Sequence, residues 1–248
     1  MTRNWFDDVE HGFEGCVQAN KHINAAKFLD AAECFTTILN DQKHLVFIPI
    51  KQRFGNNVKQ MRGTYDELRE LMPDEDLTLH DIITFEKAAG RSDTETECAS
   101  RGVMWFTRAT QFLVHAFDCS LANESEPLKD SFRSAYDQTL ALHHSSMVKP
   151  LFDAAMTFCP DRGTFYTQLC RDDPMALTLA QAKKYFGVLR GVKERLVQFC
   201  CAHGFDVRYG NKTEDDMKKC YLSKKRIVSR DEGESEKSPK KVRKGTHP

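Results

Sequence analysis

Apolar side chains recur at helical spacing through most of the first 210 residues, and this periodicity constrains the fold more than any other feature. In residues 25–40 the apolar positions, Phe28 and Phe35 among them, follow each other every three or four residues. Pro49 marks the start of a second helix, because proline fits a first turn whose N–H groups have no intrahelical acceptor. Strand-type alternation is scarce, and glycine and proline are sparse. The sequence therefore predicts an all-α protein.

Two apolar stripes define the predicted interior. One lies on the second helix and the other on a long helix for which Ser92 or Thr94 is the expected cap. A shorter helix is predicted over residues 79–89, and further helices across 128–156 and 179–203. The stripes, which we expect to face one interior, are Ile50, Phe54 and Val58 on the second helix and Val103, Phe106 and Leu113 on the long one.

The composition, 40% hydrophobic and 29% charged, is typical of an ordinary soluble globular protein. The longest apolar runs, such as residues 46–50, are far too short to span a bilayer, and the first residues contain no apolar signal region. The nine cysteines include no CxxC pair, so we expect reduced, mostly buried thiols. These features predict a cytoplasmic protein.

The end of the chain differs in kind from the rest. Residues 211–248 contain 12 Lys and Arg against 7 Asp and Glu, a net charge of +5, whereas residues 1–210 have a net charge of −5. The apolar periodicity fades there, and such a composition cannot bury enough apolar surface to offset its ordering entropy. The sequence predicts a helical domain over 1–210 and a basic, disordered tail over 211–248. Two basic clusters in the tail suit a nuclear import signal, contact with anionic lipid or RNA, or a solvated tail without a specific partner.

Polar and aromatic side chains border the predicted interior on two helices. Each helix places three of them at i, i+4 and i+7 and therefore on one face. They are Arg53, Asn57 and Gln60 on the second helix, and Arg101, Trp105 and Arg108 on the long one. A polar and aromatic patch beside an apolar interior suits an amphipathic ligand, with its head group outside and its apolar chains inside.

Four segments of the sequence have an order and spacing typical of one family. They are Val46-Phe-Ile-Pro-Ile-Lys51 with Asn57 and Tyr65-Asp66, Leu79-His-Asp-Ile-Ile-Thr-Phe-Glu-Lys87, Met104-Trp-Phe-Thr-Arg108 with Phe112-Leu113, and Tyr136 through Leu140 to His144 with Val148 and Ala154-Ala155. Together they resemble the glycolipid transfer protein family. The resemblance implies a two-layer helical sandwich with a collapsible apolar pocket, and ATP-independent carriage of sphingolipids between membranes.

Three residues match head-group positions of that family. Trp105 matches the aromatic residue on which the first sugar stacks, since an indole face is a flat apolar surface for sugar C–H groups. Asn57 matches the amide that hydrogen-bonds sugar hydroxyls. His144 matches the histidine that contacts the ceramide amide carbonyl, to which a neutral imidazole can donate.

Four positions depart from the family pattern. Arg53 stands where the family has an aspartate that accepts from the ceramide amide N–H, and arginine has no acceptor. Gln60 replaces a lysine, and Ser146 replaces a membrane-facing tryptophan. Arg101 matches a phosphate-binding arginine of the ceramide-1-phosphate branch, although that branch has a second arginine at the position of Trp105.

Three functions therefore remain open. The first is glycolipid transfer, with the head group on Trp105, Asn57 and His144. The second is transfer of a phosphorylated sphingolipid held by Arg53 and Arg101. The third is a transfer-deficient lipid sensor or helical scaffold that acts through the basic tail.

The predicted apolar pocket must shield the lipid chains. At roughly 0.8 kcal/mol per methylene, a chain of about a dozen methylenes costs on the order of 10 kcal/mol to expose to water. The residues expected to line it are Phe35, Ile50, Phe54, Val58, Val103, Phe106, Leu113, Val148 and Phe152. Since no GxGxxG, P-loop or HExxH motif is present, we predict no enzyme activity, no cofactor and no metal site. The expected partners are a sphingolipid or glycolipid and, transiently, a membrane surface, with no specific nucleic acid; the protein is expected to be a monomer.

Overall fold

The computed structural model describes residues 4–40, 47–92 and 96–210, and within these ranges the chain is helical. The helices are α1 (Trp5–Asp8), α2 (Ala25–Thr36), α3 (Ile48–Leu71), α4 (Leu79–Ala88), α5 (Ala99–Ala122), α6 (Leu128–Gln138), α7 (Lys149–Met156), α8 (Arg162–Cys170) and α9 (Met175–Ala202). Two isolated β-bridges join Val17 to Ile23 and Asn24 to Thr78. The prediction of an all-α protein is confirmed, while the predicted tail over 211–248 lies outside the described residues.

Side chains define where several helices begin. The Asn24 side chain accepts from the backbone N–H of Lys27 and caps α2. Thr78 and Asp81 form a reciprocal capping box at the start of α4. Pro49 lies in the first turn of α3, as the sequence predicts.

The start of α5 corrects one prediction. Ser92 does not cap this helix, which begins seven residues later at Ala99; its hydroxyl instead lies 2.9 Å from the Ser100 hydroxyl. The alternative cap, Thr94, lies outside the described residues. The physical reason for the difference is a buried carboxylate from α4.

That carboxylate belongs to Glu86, which is only 2% exposed. It accepts from the backbone N–H groups of Ala99 at 2.6 Å and Ser100 at 2.8 Å, and also from the hydroxyls of Ser100 and Thr64. A negative group at a helix N-terminus satisfies N–H groups that have no intrahelical acceptor. Glu86 therefore links α3, α4 and α5.

Helix α5 is the central element, and it packs against α3, α4, α6 and α9. The contact with α3 is close at Gly102, where an added Cβ would lie 2.7 Å from the backbone oxygen of Asn57. The missing side chain of Gly102 thus lets the two helices approach closely in the turn before Trp105.

Aromatic rings fill the space between the helices. Phe54 of α3 meets Phe106 of α5 at 5.4 Å between ring centroids and Phe35 of α2 at 5.8 Å. Of the predicted pocket residues, Phe35, Phe54, Val58, Val103, Phe106 and Leu113 are buried, and Ile50, Val148 and Phe152 are half-buried. The two stripes therefore face one interior; that this interior opens as a collapsible pocket stays a prediction.

The stretch between α6 and α7 is not helical throughout. After α6 ends at Gln138, a 3-10 turn covers Leu140–Leu142, and α7 begins only at Lys149 with Pro150 in its first turn. His144 lies in this connection, so it approaches the body from a loop.

The N-terminal helix α1 is fixed to the body by buried contacts. Asn4 is fully buried, and its backbone N–H donates to Asp173 at 2.7 Å. The indole N–H of Trp5 donates to the Thr37 hydroxyl at 2.9 Å, and its ring meets Tyr185 edge-on at 5.3 Å. None of the helices in the described ranges is long and apolar enough to cross a membrane.

Candidate functional site

Trp105 and His144 meet at the surface although they are far apart in sequence. Both are half-buried, and their ring centroids lie 5.7 Å apart with the planes inclined by 31°. Trp105 comes from α5 and His144 from the α6–α7 connection. We refer to these two residues and Arg53 of α3, whose charge acts on His144, as the Trp105 site; that Asn57 joins them stays a prediction.

His144 is neutral at neutral pH. Burial lowers its pKa to about 4, and the next largest cause is the positive charge of Arg53. The Tyr136 hydroxyl lies 3.0 Å from Nδ1 of His144, and burial raises the pKa of Tyr136 to about 12. When this protonated hydroxyl donates to Nδ1, Nε2 carries the proton of the neutral ring and can donate to a carbonyl group.

Arg53 belongs to the same surface. Its side chain is exposed, and its charge acts on the His144 ring more strongly than the charges of Arg108 or Lys149. The Trp105 site therefore has a cation whose charge reaches the His144 ring.

Arg108 lies behind Trp105. It is only 7% exposed, and its guanidinium carbon lies 4.5 Å from the centre of the indole ring. Its Nε and Nη2 donate to the backbone oxygen of Asp206 at 2.8 and 2.6 Å. Arg108, predicted as a head-group ligand, is thus held against the indole, where a cation–π contact orients the ring.

Backbone carbonyls of residues 205–210 bind side chains next to the site. The sequence did not indicate this support. Gln111 donates to the Val207 carbonyl at 3.1 Å, and Nε2 of His143 lies 2.9 Å from the Arg208 carbonyl. Although Asp206 lies 3.4 Å from His143 and favours its charged form, burial and the charge of Arg108 lower the pKa of His143. Because a carbonyl oxygen can only accept, Nε2 of His143 donates to Arg208. Partners separated by 65 to 98 residues leave no periodic signal in the sequence.

The remaining predicted polar residues lie on α3 and α5, the two helices that pack against each other. Asn57 is half-buried on the turn of α3 that faces Gly102. Gln60 is half-buried one turn later, and its Oε1 is buried with no hydrogen-bond partner among the described residues. Arg101 is half-buried one turn before Trp105.

The interior and an exposed apolar surface meet beside His144. Phe152 of α7 stacks on Tyr136 at 3.6 Å between centroids and contacts Phe112 of α5 at 6.1 Å. Outside, Met147, Leu151 and Phe158 are 79%, 69% and 72% exposed. Large apolar side chains so strongly exposed in one stretch mark an interaction surface.

Within the described ranges, no group of three or more His, Cys, Asp or Glu residues is arranged to hold a metal ion. The chemistry available at the Trp105 site is hydrogen bonding, stacking and charge.

A helical body with an aromatic and cationic site at the edge of an apolar interior defines the class of proteins that bind an amphipathic ligand. The family model described as Glycolipid transfer protein (GLTP) matches residues 23–171. The chain belongs to the glycolipid transfer protein family.

Relatives and solved structures agree with this assignment. A glycolipid transfer protein of Aureobasidium melanogenum is 33% identical over 195 residues, which are 78% of this chain and 89% of the relative. The crystal structure of HET-C2, a fungal glycolipid transfer protein, superposes with a TM-score of 0.68 at 29% identity over 79% of this chain and 96% of that one. Human ceramide-1-phosphate transfer protein bound to 12:0 ceramide-1-phosphate has a TM-score of 0.68 at 17% identity, covering 83% and 100%, and shares the fold.

Proposed function

We propose that this protein binds a sphingolipid at the Trp105 site and carries it between membranes without ATP. The observation that carries the proposal is the contact of Trp105 with a neutral His144 at the edge of a buried aromatic interior. The fungal relatives named above are glycolipid transfer proteins, which supports a glycolipid as the cargo. The protein acts as a carrier and not as an enzyme.

Each part of the ligand has a matching group. The first sugar stacks on the indole face of Trp105, which Arg108 holds from behind. Nε2 of His144 donates to the ceramide amide carbonyl, and Asn57 hydrogen-bonds sugar hydroxyls. The hydrocarbon chains enter between the Phe54 and Phe106 stripes, where the lining replaces contact with water.

A phosphorylated sphingolipid is the second candidate, and the position of Arg53 favours it. Its charge reaches the His144 ring, so the cation lies close to the place of the ceramide amide. A phosphate there would gain charge-assisted hydrogen bonds from Arg53 and Arg101. A neutral glycolipid would instead leave its amide N–H without the usual acceptor, a penalty of about 1–3 kcal/mol.

The membrane contact that loading requires is supported by Met147, Leu151 and Phe158. Leu151 lies on α7, and Phe158 lies two residues after its end. Inserting these side chains into the headgroup region would offset the missing tryptophan at Ser146. Docking is transient, and the protein acts as a cytoplasmic monomer.

Transfer between vesicles tests the main proposal. Trp105→Ala should lower the transfer rate of galactosylceramide about fivefold or more, since a lost stacking contact costs about 1 kcal/mol. Trp105→Phe, which keeps an aromatic face, is the matched control and should retain most of the rate. Equal rates for folded wild type and Trp105→Ala would refute the stacking role.

Competition between galactosylceramide and ceramide-1-phosphate separates the two candidates. If Arg53 holds phosphate, the wild type prefers ceramide-1-phosphate and Arg53→Asp shifts the preference toward galactosylceramide. Lys51→Asp makes the same charge change at an exposed position two residues away on α3 and serves as the control for membrane charge. An unchanged preference in Arg53→Asp would exclude the phosphate role.

A further inference from the structure

A polar cleft continues along α3 beyond the Trp105 site. It encloses about 540 Å³, a volume within the usual range of small-molecule sites. One wall is α3, with Asn56, Lys59, Gln60 and Gly63, and the opposite wall includes Glu97 and Cys98 at the start of α5. Of the residues predicted for the head group, Gln60 lines the cleft, while Trp105, Asn57 and His144 do not.

The cleft and the Trp105 site lie on the same two helices. Gln60 follows Asn57 by about one turn of α3, and Cys98 precedes Trp105 by two turns of α5. At 1.5 Å per residue, Cys98 lies about 10 Å along the axis from Trp105. A sugar attached to the one stacked on Trp105 can therefore enter the cleft.

The groups inside the cleft suit uncharged polyhydroxyl compounds. The buried Oε1 of Gln60 has no hydrogen-bond partner among the described residues, so it is an acceptor that a ligand hydroxyl would satisfy. Lys59 adds donors and Glu97 adds acceptors at the exposed rim.

The charge of the cleft argues against an anionic ligand. Its lining contains two cations, Lys59 and Arg91, and three carboxylates, Glu67, Glu86 and Glu97. Arg91 is already paired with Glu67 at 2.7 Å. Among its described lining residues no excess of positive charge is present to hold a sialic acid or a phosphate, in contrast to the neighbourhood of Arg53.

We propose that this cleft is a subsite for the second and third sugars of an uncharged oligosaccharide head group. The inference rests on the proposed glycolipid function and extends it to the length and charge of the head group. It predicts that the protein transfers neutral lipids with two or three hexoses, and that the cleft residues matter only for these longer lipids.

Gly63 offers a direct test, because it lines the cleft and an added Cβ would have no atom within 4 Å. Gly63→Phe therefore adds a ring at the wall of the cleft. Gly187→Phe is the matched control, since Gly187 is exposed in the middle of α9 and is equally open. Lys59→Ala, at an exposed position, is a second variant that removes a donor without adding bulk.

The full chain is assayed for vesicle transfer of mono-, di- and trihexosylceramide with one ceramide, and of a monosialylated trihexosylceramide. Gly63→Phe should slow the di- and trihexosyl lipids about tenfold, as expected for one or two lost hydrogen bonds, and leave the monohexosyl lipid within about twofold. Lys59→Ala should act in the same direction with a smaller effect, and Gly187→Phe should behave as wild type. The wild type should transfer the sialylated lipid more slowly than its neutral counterpart.

The outcomes distinguish a failure of the proposed glycolipid function from a failure of the proposed subsite. If the wild type transfers no monohexosylceramide, the proposed glycolipid function fails. If it does, but Gly63→Phe and Lys59→Ala affect all chain lengths equally or not at all, the subsite is wrong while the function stands. Transfer of the sialylated lipid as fast as the neutral one would overturn the assignment to uncharged sugars.

Discussion

The two tryptophans of the chain lie in regions that use the same side chain in opposite ways. Trp5, in the N-terminal region, is 3% exposed and donates its indole N–H to Thr37. Trp105 is half-buried, with Arg108 and His144 against its ring. A fully buried ring contributes stability, whereas a half-buried ring leaves part of its surface accessible to a ligand. Burial and support, more than residue type, distinguish the two rings and make Trp105 the tryptophan that we propose to bind the ligand.

The strongest test of this contrast is Trp5→Ala. Removing a fully buried tryptophan leaves a cavity, so the free energy of unfolding should fall by about 3–5 kcal/mol. Urea unfolding measures this loss, and transfer per folded molecule should stay near that of the wild type. Trp105→Ala should show the reverse, a smaller stability loss with much slower transfer. Similar losses in both variants would contradict the division of roles.

Gly102→Ala sharpens the contrast at the Trp105 site. The new Cβ would meet the Asn57 backbone oxygen at 2.7 Å, so α3 and α5 must separate. We expect unfolding to become easier by about 1–3 kcal/mol, the usual cost of overpacking. Gly63→Ala, on the same α3–α5 pair but in open space, should be neutral or stabilise by up to about 1 kcal/mol. Urea unfolding of the two variants side by side decides the matter, and equal stabilities would argue against a tight contact.

The two regions should also respond differently to pH, because the ring beside Trp105 is His144 while the ring beside Trp5 is Tyr185. The pKa of His144 is about 4 in the folded chain and about 6.5 when unfolded, so the unfolded chain binds its proton first. The contribution of His144 to the free energy of unfolding is therefore fully present above about pH 6.5. It is lost as the pH falls toward 4, which lowers the free energy of unfolding by about 1 kcal/mol after allowance for solvent screening.

His144→Gln isolates this contribution. The pKa of His203 is also lowered to about 4 and supplies part of the same slope, so the variant should flatten the pH dependence without abolishing it. Urea unfolding at pH 7 and pH 5 is the measurement. An identical slope in wild type and variant would mean that His144 is not buried as described.

The smallest effect is expected from shortening the chain. Ending it after Gly210 should change the thermal midpoint by no more than a few degrees, since residues 211–248 are predicted to add no core. Ending it after Gly204 removes the carbonyls that hold Arg108, Gln111 and His143, and should destabilise the body and the Trp105 site together. A large fall in the thermal midpoint of the chain that ends after Gly210 would show that the predicted tail contributes to the core.

Features that repeat at helical spacing, or that follow a fixed order along the chain, could be predicted from the sequence. The stripes of α3 and α5 were recognisable from spacing, and Phe54 and Phe106 do meet. The order of the motifs indicated the family, which the match over residues 23–171 confirms. The roles of the individual ligand-binding residues stay predictions.

Contacts between residues that are distant in sequence left no periodic pattern from which they could be predicted. Spacing placed Arg108 beside Trp105 but not the Asp206 carbonyl that holds it, 98 residues away. A hydroxyl residue before α5 was a reasonable cap, yet the Cys98 thiol accepts from the Arg101 amide, and Glu86 of another helix accepts from the amides of Ala99 and Ser100. Both cases depend on burial, which creates hydrogen bonds that local sequence does not encode.

Glu86 has a consequence for the motions of the protein. Its single carboxylate holds the first amides of α5 and the Thr64 hydroxyl of α3 at once, so the start of α5 cannot fray while α4 stays docked. In hydrogen–deuterium exchange, the amides of Ala99 and Ser100 should open together with α4 as one cooperative unit. The first turn of the helix that bears Trp105 is thus anchored, and we expect an opening that admits a lipid to start elsewhere in the body.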